Sequence, residues 1–139
     1  MTDNLTPHLR SWTMSQIKSV NTQPEKFVRS FLYKEGYRFR LHRKNLPGKP
    51  DLVLPKYKTA IFVNGCFWHR HRGCKFTFTP KTSLHYWRDK FLKTVQRDKI
   101  NKKKLLELGW AVIIIWECEV KKKIFQRKLL KYLTKASQK

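Results

Sequence analysis

Apolar positions repeat along this chain with two different periods. Phe27, Val28, Phe31 and Leu32 lie three and four apart, the stripe of an amphipathic helix. Thr22-Gln23-Pro24-Glu25 supplies its start, with Thr22 as cap, Pro24 in the first turn and Glu25 closing a capping box; Gly36 is its stop. Residues 37–41 then alternate, Tyr-Arg-Phe-Arg-Leu, as a half-buried strand does. A basic loop follows over 42–49. Pro50-Asp51 leads into a short apolar strand at 52–54, residues 55–58 turn, and 59–63 return as a second strand that Gly65 breaks. After an irregular stretch at 75–82, helical spacing resumes from 83 to about 108. Leu84, Trp87, Phe91 and Val95 mark its stripe, Leu105, Leu106 and Leu108 close it, and Gly109 ends it. Residues 110–116, Trp-Ala-Val-Ile-Ile-Ile-Trp, predict a central strand covered on both faces. Ile124, Phe125, Leu129, Leu130 and Leu133 predict a last amphipathic helix within 121–139, running into a polar tail. The order helix, strand, strand, strand, helix, strand, helix predicts a single α/β domain over 1–139, a mixed sheet flanked by helices. Function is expected where the strands around Asp51, Val63 and Cys118 end.

Charge adds a partner to this picture. The 139 residues carry 32 Lys+Arg against 9 Asp+Glu, a formal +23, which points to a polyanion, nucleic acid before an anionic membrane. No apolar run approaches the roughly 20 residues of a membrane span, and no apolar signal region opens the chain, so a soluble intracellular protein is expected. Residues 1–21 show only scattered Trp12, Met14 and Ile17. They read as a tethered terminus or as an arm lying on the polyanion through Arg10 and Lys18, with Met14 as an apolar wedge.

The densest chemistry lies at Gly65-Cys66-Phe67-Trp68-His69-Arg70-His71-Arg72-Gly73-Cys74. Three cysteines are an odd number for a disulfide framework. Cys66, Cys74 and Cys118 with His71 instead make a full tetrahedral zinc set, structural because no position is left for water. The competing reading is three buried small apolar side chains. His69 is surplus to the four ligands and suits a proton acceptor near neutral pH. Asp98, on the long helix, can orient it, although by itself Asp98 reads first as a surface ion pair with Arg97, Lys99 or Lys102. Asp51 suits a magnesium ligand beside backbone carbonyls and waters, or else a turn residue. Phe67-Trp68, set among charges on a tight loop, is expected to be exposed.

Pro47-Gly48-Lys49-Pro50-Asp51, Gly65 to His71, Leu108-Gly109-Trp110 and Trp116-Glu117-Cys118 together resemble the very-short-patch (Vsr) repair endonucleases, bacterial enzymes that nick DNA beside a T:G mismatch. The likeness runs from about Met14 to Cys118. It implies a type II restriction-endonuclease-like core with a structural zinc. It places Asp51 on the family's magnesium aspartate and residue 63 on a magnesium ligand through its backbone carbonyl. It puts His69 on the catalytic histidine, Asp98 on that histidine's partner, and Glu25 on an acid that organises hydrated metal. Cys66, His71, Cys74 and Cys118 fall on the zinc ligands. Phe67, Trp68 and Trp87 fall on the aromatics that wedge beside the mismatch, and Met14 and Lys90 on residues that pry and hold the DNA. A well-known member of the family has threonine and histidine where this chain has Val63 and Asn64; a backbone carbonyl tolerates valine, and Asn64 can donate a hydrogen bond to a phosphate but cannot carry a proton.

The resemblance therefore implies a Mg2+-dependent, Zn2+-stapled enzyme that nicks one strand of duplex DNA next to T:G and starts very-short-patch repair. It would be cytoplasmic in a bacterium and associated with the nucleoid through DNA, with other mismatch-repair proteins as further candidate partners; the residues show no dimerisation signal, so a monomer is expected. Two alternatives stay open: a restriction-type or mobile-element nuclease of the same fold with another target, and an inactive zinc-stapled DNA-binding module, kept in view by Asn64.

Overall fold

The computed structural model describes residues 22–75, 77 and 79–137. Met14 and the expected N-terminal arm lie outside them. The first helix, α1 (Gln23–Lys34), begins where expected: Thr22 Oγ1 accepts the Glu25 N–H at 3.5 Å. It ends in a Schellman turn, with Gly36 at φ +87° and the Tyr37 N–H donating to the Leu32 carbonyl at 3.0 Å. Strand β1 (Arg40–Leu41) is shorter than the alternating run 37–41, because β2 (Leu52–Leu54), its antiparallel partner, offers only three residues. Tyr37 and Phe39 still pack against the core. A single 3-10 turn (Pro55–Tyr57) leads to β3 (Thr59–Asn64), antiparallel to β2. The long helix α2 (Leu84–Glu107) then crosses over to β4 (Ala111–Trp116), which lies parallel to β3 with Val63 opposite Ile115 and Asn64 opposite Trp116. A short helix, α3 (Glu117–Lys121), follows at once, and α4 (Phe125–Ser137) carries the last apolar stripe well into the expected tail.

The sheet order is β1-β2-β3-β4. Among the described residues β3 is therefore interior and β4 an edge, which corrects the expectation of a central strand at 110–116. The apolar run there has another cause. Ile113 and Ile115 point into the main core with Val28 and Leu32 of α1, Leu52, Leu54 and Ile61 of the sheet, and Phe125, Leu129 and Leu133 of α4. Val112 and Ile114 point the other way and floor an open cleft. A smaller core on that second face joins Leu46, Val53, Ala60 and Leu105 of α2. Each fully buried leucine or isoleucine stabilises the fold by about 1.5–3 kcal/mol, and these side chains join the layers of an α/β/α stack. No described helix is long and apolar enough to cross a membrane.

Candidate active site

Strand β3 stops at Asn64, and the loop beyond it coils tightly. The His69 N–H donates to the Gly65 carbonyl and the His71 N–H to the Cys66 carbonyl, both at 3.1 Å. Arg70 sits in the left-handed region at φ +55°, which sends His69 and His71 to different sides of the loop. His71 turns to the cysteines. Its Nδ1 lies 3.7 Å from Cys66 Sγ and 3.4 Å from Cys118 Sγ, and its ring stacks on Trp116 at 4.2 Å. The four donor atoms of Cys66, His71, Cys74 and Cys118 all fall within 4.8 Å of one another. A tetrahedron with zinc bond lengths has sulfur–nitrogen edges of about 3.5 Å, so the edges from His71 to Cys66 and Cys118 match a zinc site. Cys118 enters from the first turn of α3, and its N–H donates to Cys66 Sγ at 3.4 Å. Burial pushes the Cys66 thiol up to about 12, raises that of Cys118 and lowers His71, so a bound cation is what would make thiolates stable there.

His69 faces the cleft. Its Nδ1 lies 2.6 Å from Asp98 Oδ2, which leaves Nε2 toward the open side. The cleft encloses about 1150 Å³ and is walled by the end of β3, the start of β2, the start of α1 and the middle of α2. Thr94, Arg97, Asp98 and Asn101, at helical spacing, form the α2 wall. Opposite them Asp51 precedes β2, and its Oδ2 accepts the Val63 N–H at 2.7 Å. Burial foremost, with the Glu25 carboxylate adding to it, pushes Asp51 up to about 7; the Val63 N–H and His42 pull the other way. Glu25 is only 2% exposed. Its carboxylate turns inward, 3.1 Å from His42 Nε2 and 3.4 Å from Arg29 Nη2. Glu25, His42 and Asp51 form a second group whose donor atoms lie within 4.8 Å of one another, a donor set that suits a divalent cation.

Glu25, Asp51, Val63, Asn64, Phe67, Trp68, His69 and Asp98 thus line one cleft. Asn64 is 7% exposed, at its floor. Phe67 and Trp68 are half-buried, with ring centroids 5.2 Å apart, and rest on Trp87 and Phe91 of α2. Trp87 is itself buried at 5% exposure, beneath the other two rings rather than beside them at the surface. Lys90 is exposed on α2 outside the cleft, its ammonium 5.3 Å from the Tyr86 ring. Sequence reasoning passed over His42, the α2 wall residues Arg97 and Asn101, and Glu117 at the cleft's end. His42 enters through the strand pairing: in the antiparallel register that pairs Leu41 with Leu52, the next residues to face each other are His42 and Asp51.

The fold is that of a nuclease catalytic domain: the chain superposes on the catalytic domain of the homing endonuclease I-Bth0305I with a TM-score of 0.59 at 20% identity, covering 84% of this chain and 98% of that one. The sequence pattern of the DNA mismatch endonuclease Vsr family matches residues 2–75. The type II nicking enzyme V.XorIIP of Xanthomonas oryzae pv. oryzae is 49% identical over 120 residues, 86% of this chain and 88% of its own length. DNA mismatch endonuclease Vsr of Escherichia coli is 41% identical over 112 residues, 81% of this chain and 71% of its own length. The chain belongs to the Vsr family of DNA endonucleases.

Proposed function

We propose that this protein nicks one strand of duplex DNA beside a T:G mismatch, with a divalent cation, Mg2+ in the cell, in the cleft and Zn2+ at the cysteine cluster. The observation that carries the proposal is the convergence of a His–Asp pair, a carboxylate pair and two half-exposed aromatic rings on one cleft of a strongly basic chain. With Nδ1–H directed to Asp98, the neutral ring of His69 would present Nε2 to take a proton from the attacking water. Asp51 and Glu25, with the backbone at Val63 beside them, would hold the cation, which supplies positive charge for the phosphate and the leaving oxygen. Lys44, Lys49, Arg97 and Lys102 line the cleft and are placed to contact phosphates. Phe67 and Trp68 can enter a weakly stacked step, and Trp87 beneath them serves as their base. A mismatched step costs less to open than a paired one, and selectivity would follow from that difference.

The test is a nicking assay with Mg2+ and end-labelled duplexes that carry T·G, A·T or G·C at one position. A single-strand cut at T·G alone is the expected result. Cutting of matched duplex would instead mark a nuclease of other target choice. Binding without cutting would mark the inactive module that Asn64 keeps in view; the intact 2.6 Å His69–Asp98 contact argues for chemistry.

A further inference from the structure

We infer that His42 is a direct nitrogen ligand of the cleft cation, beside Asp51 and Glu25. This rests on the reading of the cleft as a divalent-cation site and adds to it a residue and a metal preference. Three observations carry it. His42 Nε2 lies 3.1 Å from Glu25 Oε2, and one donor atom from each of His42, Glu25 and Asp51 falls within 4.8 Å of the others. Adjacent ligands of an octahedral ion of this size stand about 3.0 Å apart and opposite ones about 4.2 Å, so the His42–Glu25 pair already has the spacing of adjacent ligands and a small closure of the group brings all three onto one ion. Second, His42 adopts φ +48°, a backbone conformation that L residues rarely take. It is held there by the His42 N–H donating at 3.2 Å to the carbonyl of Asp51 itself. Strain kept at a position facing a cleft is a mark of use. Third, that bond closes the basic loop between residues 42 and 51, so the two side chains are tied at the same strand ends. The loop is in turn seated on α2, since a Cβ at Gly48 would come within 3.0 Å of Asn101.

An imidazole in an otherwise oxygen site favours Mn2+ over Mg2+. The full-length, zinc-loaded chain titrated with Mn2+ should show, in pulsed electron paramagnetic resonance, coupling to a directly bound 14N nucleus. His42→Gln should abolish that coupling while Mn2+ still binds. Mn2+ should bind more tightly than Mg2+, and His42→Gln should reduce that ratio by weakening Mn2+ more than Mg2+. His42→Asn, which accepts a left-handed backbone more readily, provides a second variant; unchanged zinc content and thermal unfolding in either one establishes folding. Mn2+ bound through Asp51 with no nitrogen coupling, or coupling that survives in both variants, overturns the role of His42 alone. Mn2+ binding unaffected by Asp51→Ala overturns the cation site as well. Neither result bears on which mismatch is cut.

Discussion

His69 and Asp98 form the contact on which the proposed proton transfer depends. His69→Ala should lower the nicking rate by about 10²–10⁴-fold while DNA affinity in gel shifts stays close to that of the parent. Asp51 makes a different kind of prediction. Its folded-state pKa near 7, raised chiefly by burial, exceeds the 3.8 of an ordinary aspartate. Between those two values the folded chain binds more protons than the unfolded one, so stability is fully present below about pH 4 and is lost as pH rises through 7. In metal-free protein the loss amounts to roughly 4 kcal/mol. Asp51→Asn should therefore raise the melting temperature of metal-free protein at pH 8 and abolish nicking. A melting temperature in that variant equal to or below the parent's at pH 8 would show that Asp51 carries no such penalty. At this scale the clustering of Cys66, His71, Cys74 and Cys118 was legible from residue type. Glu25 was harder, because the same spacing that suggests a capping box also serves a buried carboxylate. Only the position of His42 decides between them.

At the scale of elements, caps and stripes were legible and strand neighbours were not. Both Schellman turns stand where glycine indicated. The second ends α2 with Gly109 at φ +87° and the Trp110 N–H on the Leu105 carbonyl at 3.0 Å. Gly109→Ala should cost about 1–2 kcal/mol, read as a shift in denaturant midpoint. Pairing is non-local, so the brevity of β1 and the edge position of β4 had no signature in their own residues. On α2 the signature was present and was misassigned. Trp87, Phe91, Thr94, Asp98, Asn101 and Leu105 follow one another by fours and threes, yet the middle three are polar. That break is the cleft wall, and it distinguishes Asp98 from an ordinary surface carboxylate. Between elements, the cysteine cluster ties the loop after β3 to α3. Cys118→Ser should release metal, measured by elemental analysis, and raise hydrogen exchange across residues 65–75. A variant that kept a full equivalent of zinc would remove Cys118 from the ligand set.

For the whole molecule the formal +23 is the dominant property, and it acts through the ionic atmosphere of DNA. Four cleft cations, Lys44, Lys49, Arg97 and Lys102, would each displace a counterion from the backbone. A log–log plot of affinity against salt should then slope at about −3.6 or more steeply; a shallower slope would mean that the cleft does not follow the phosphates. The left-handed turn at Arg70 has a broader consequence. On the proposed reading it would couple two chemistries in one peptide segment, because the residue on one side of it would steady a sulfur-held metal and the residue on the other would handle protons. A chain made under zinc starvation would keep its electrostatic grip and its carboxylates, yet its imidazole would drift out of line. Such a protein would sit on lesions as a silent roadblock, visible as a retarded band in a gel where no nicked strand accumulates.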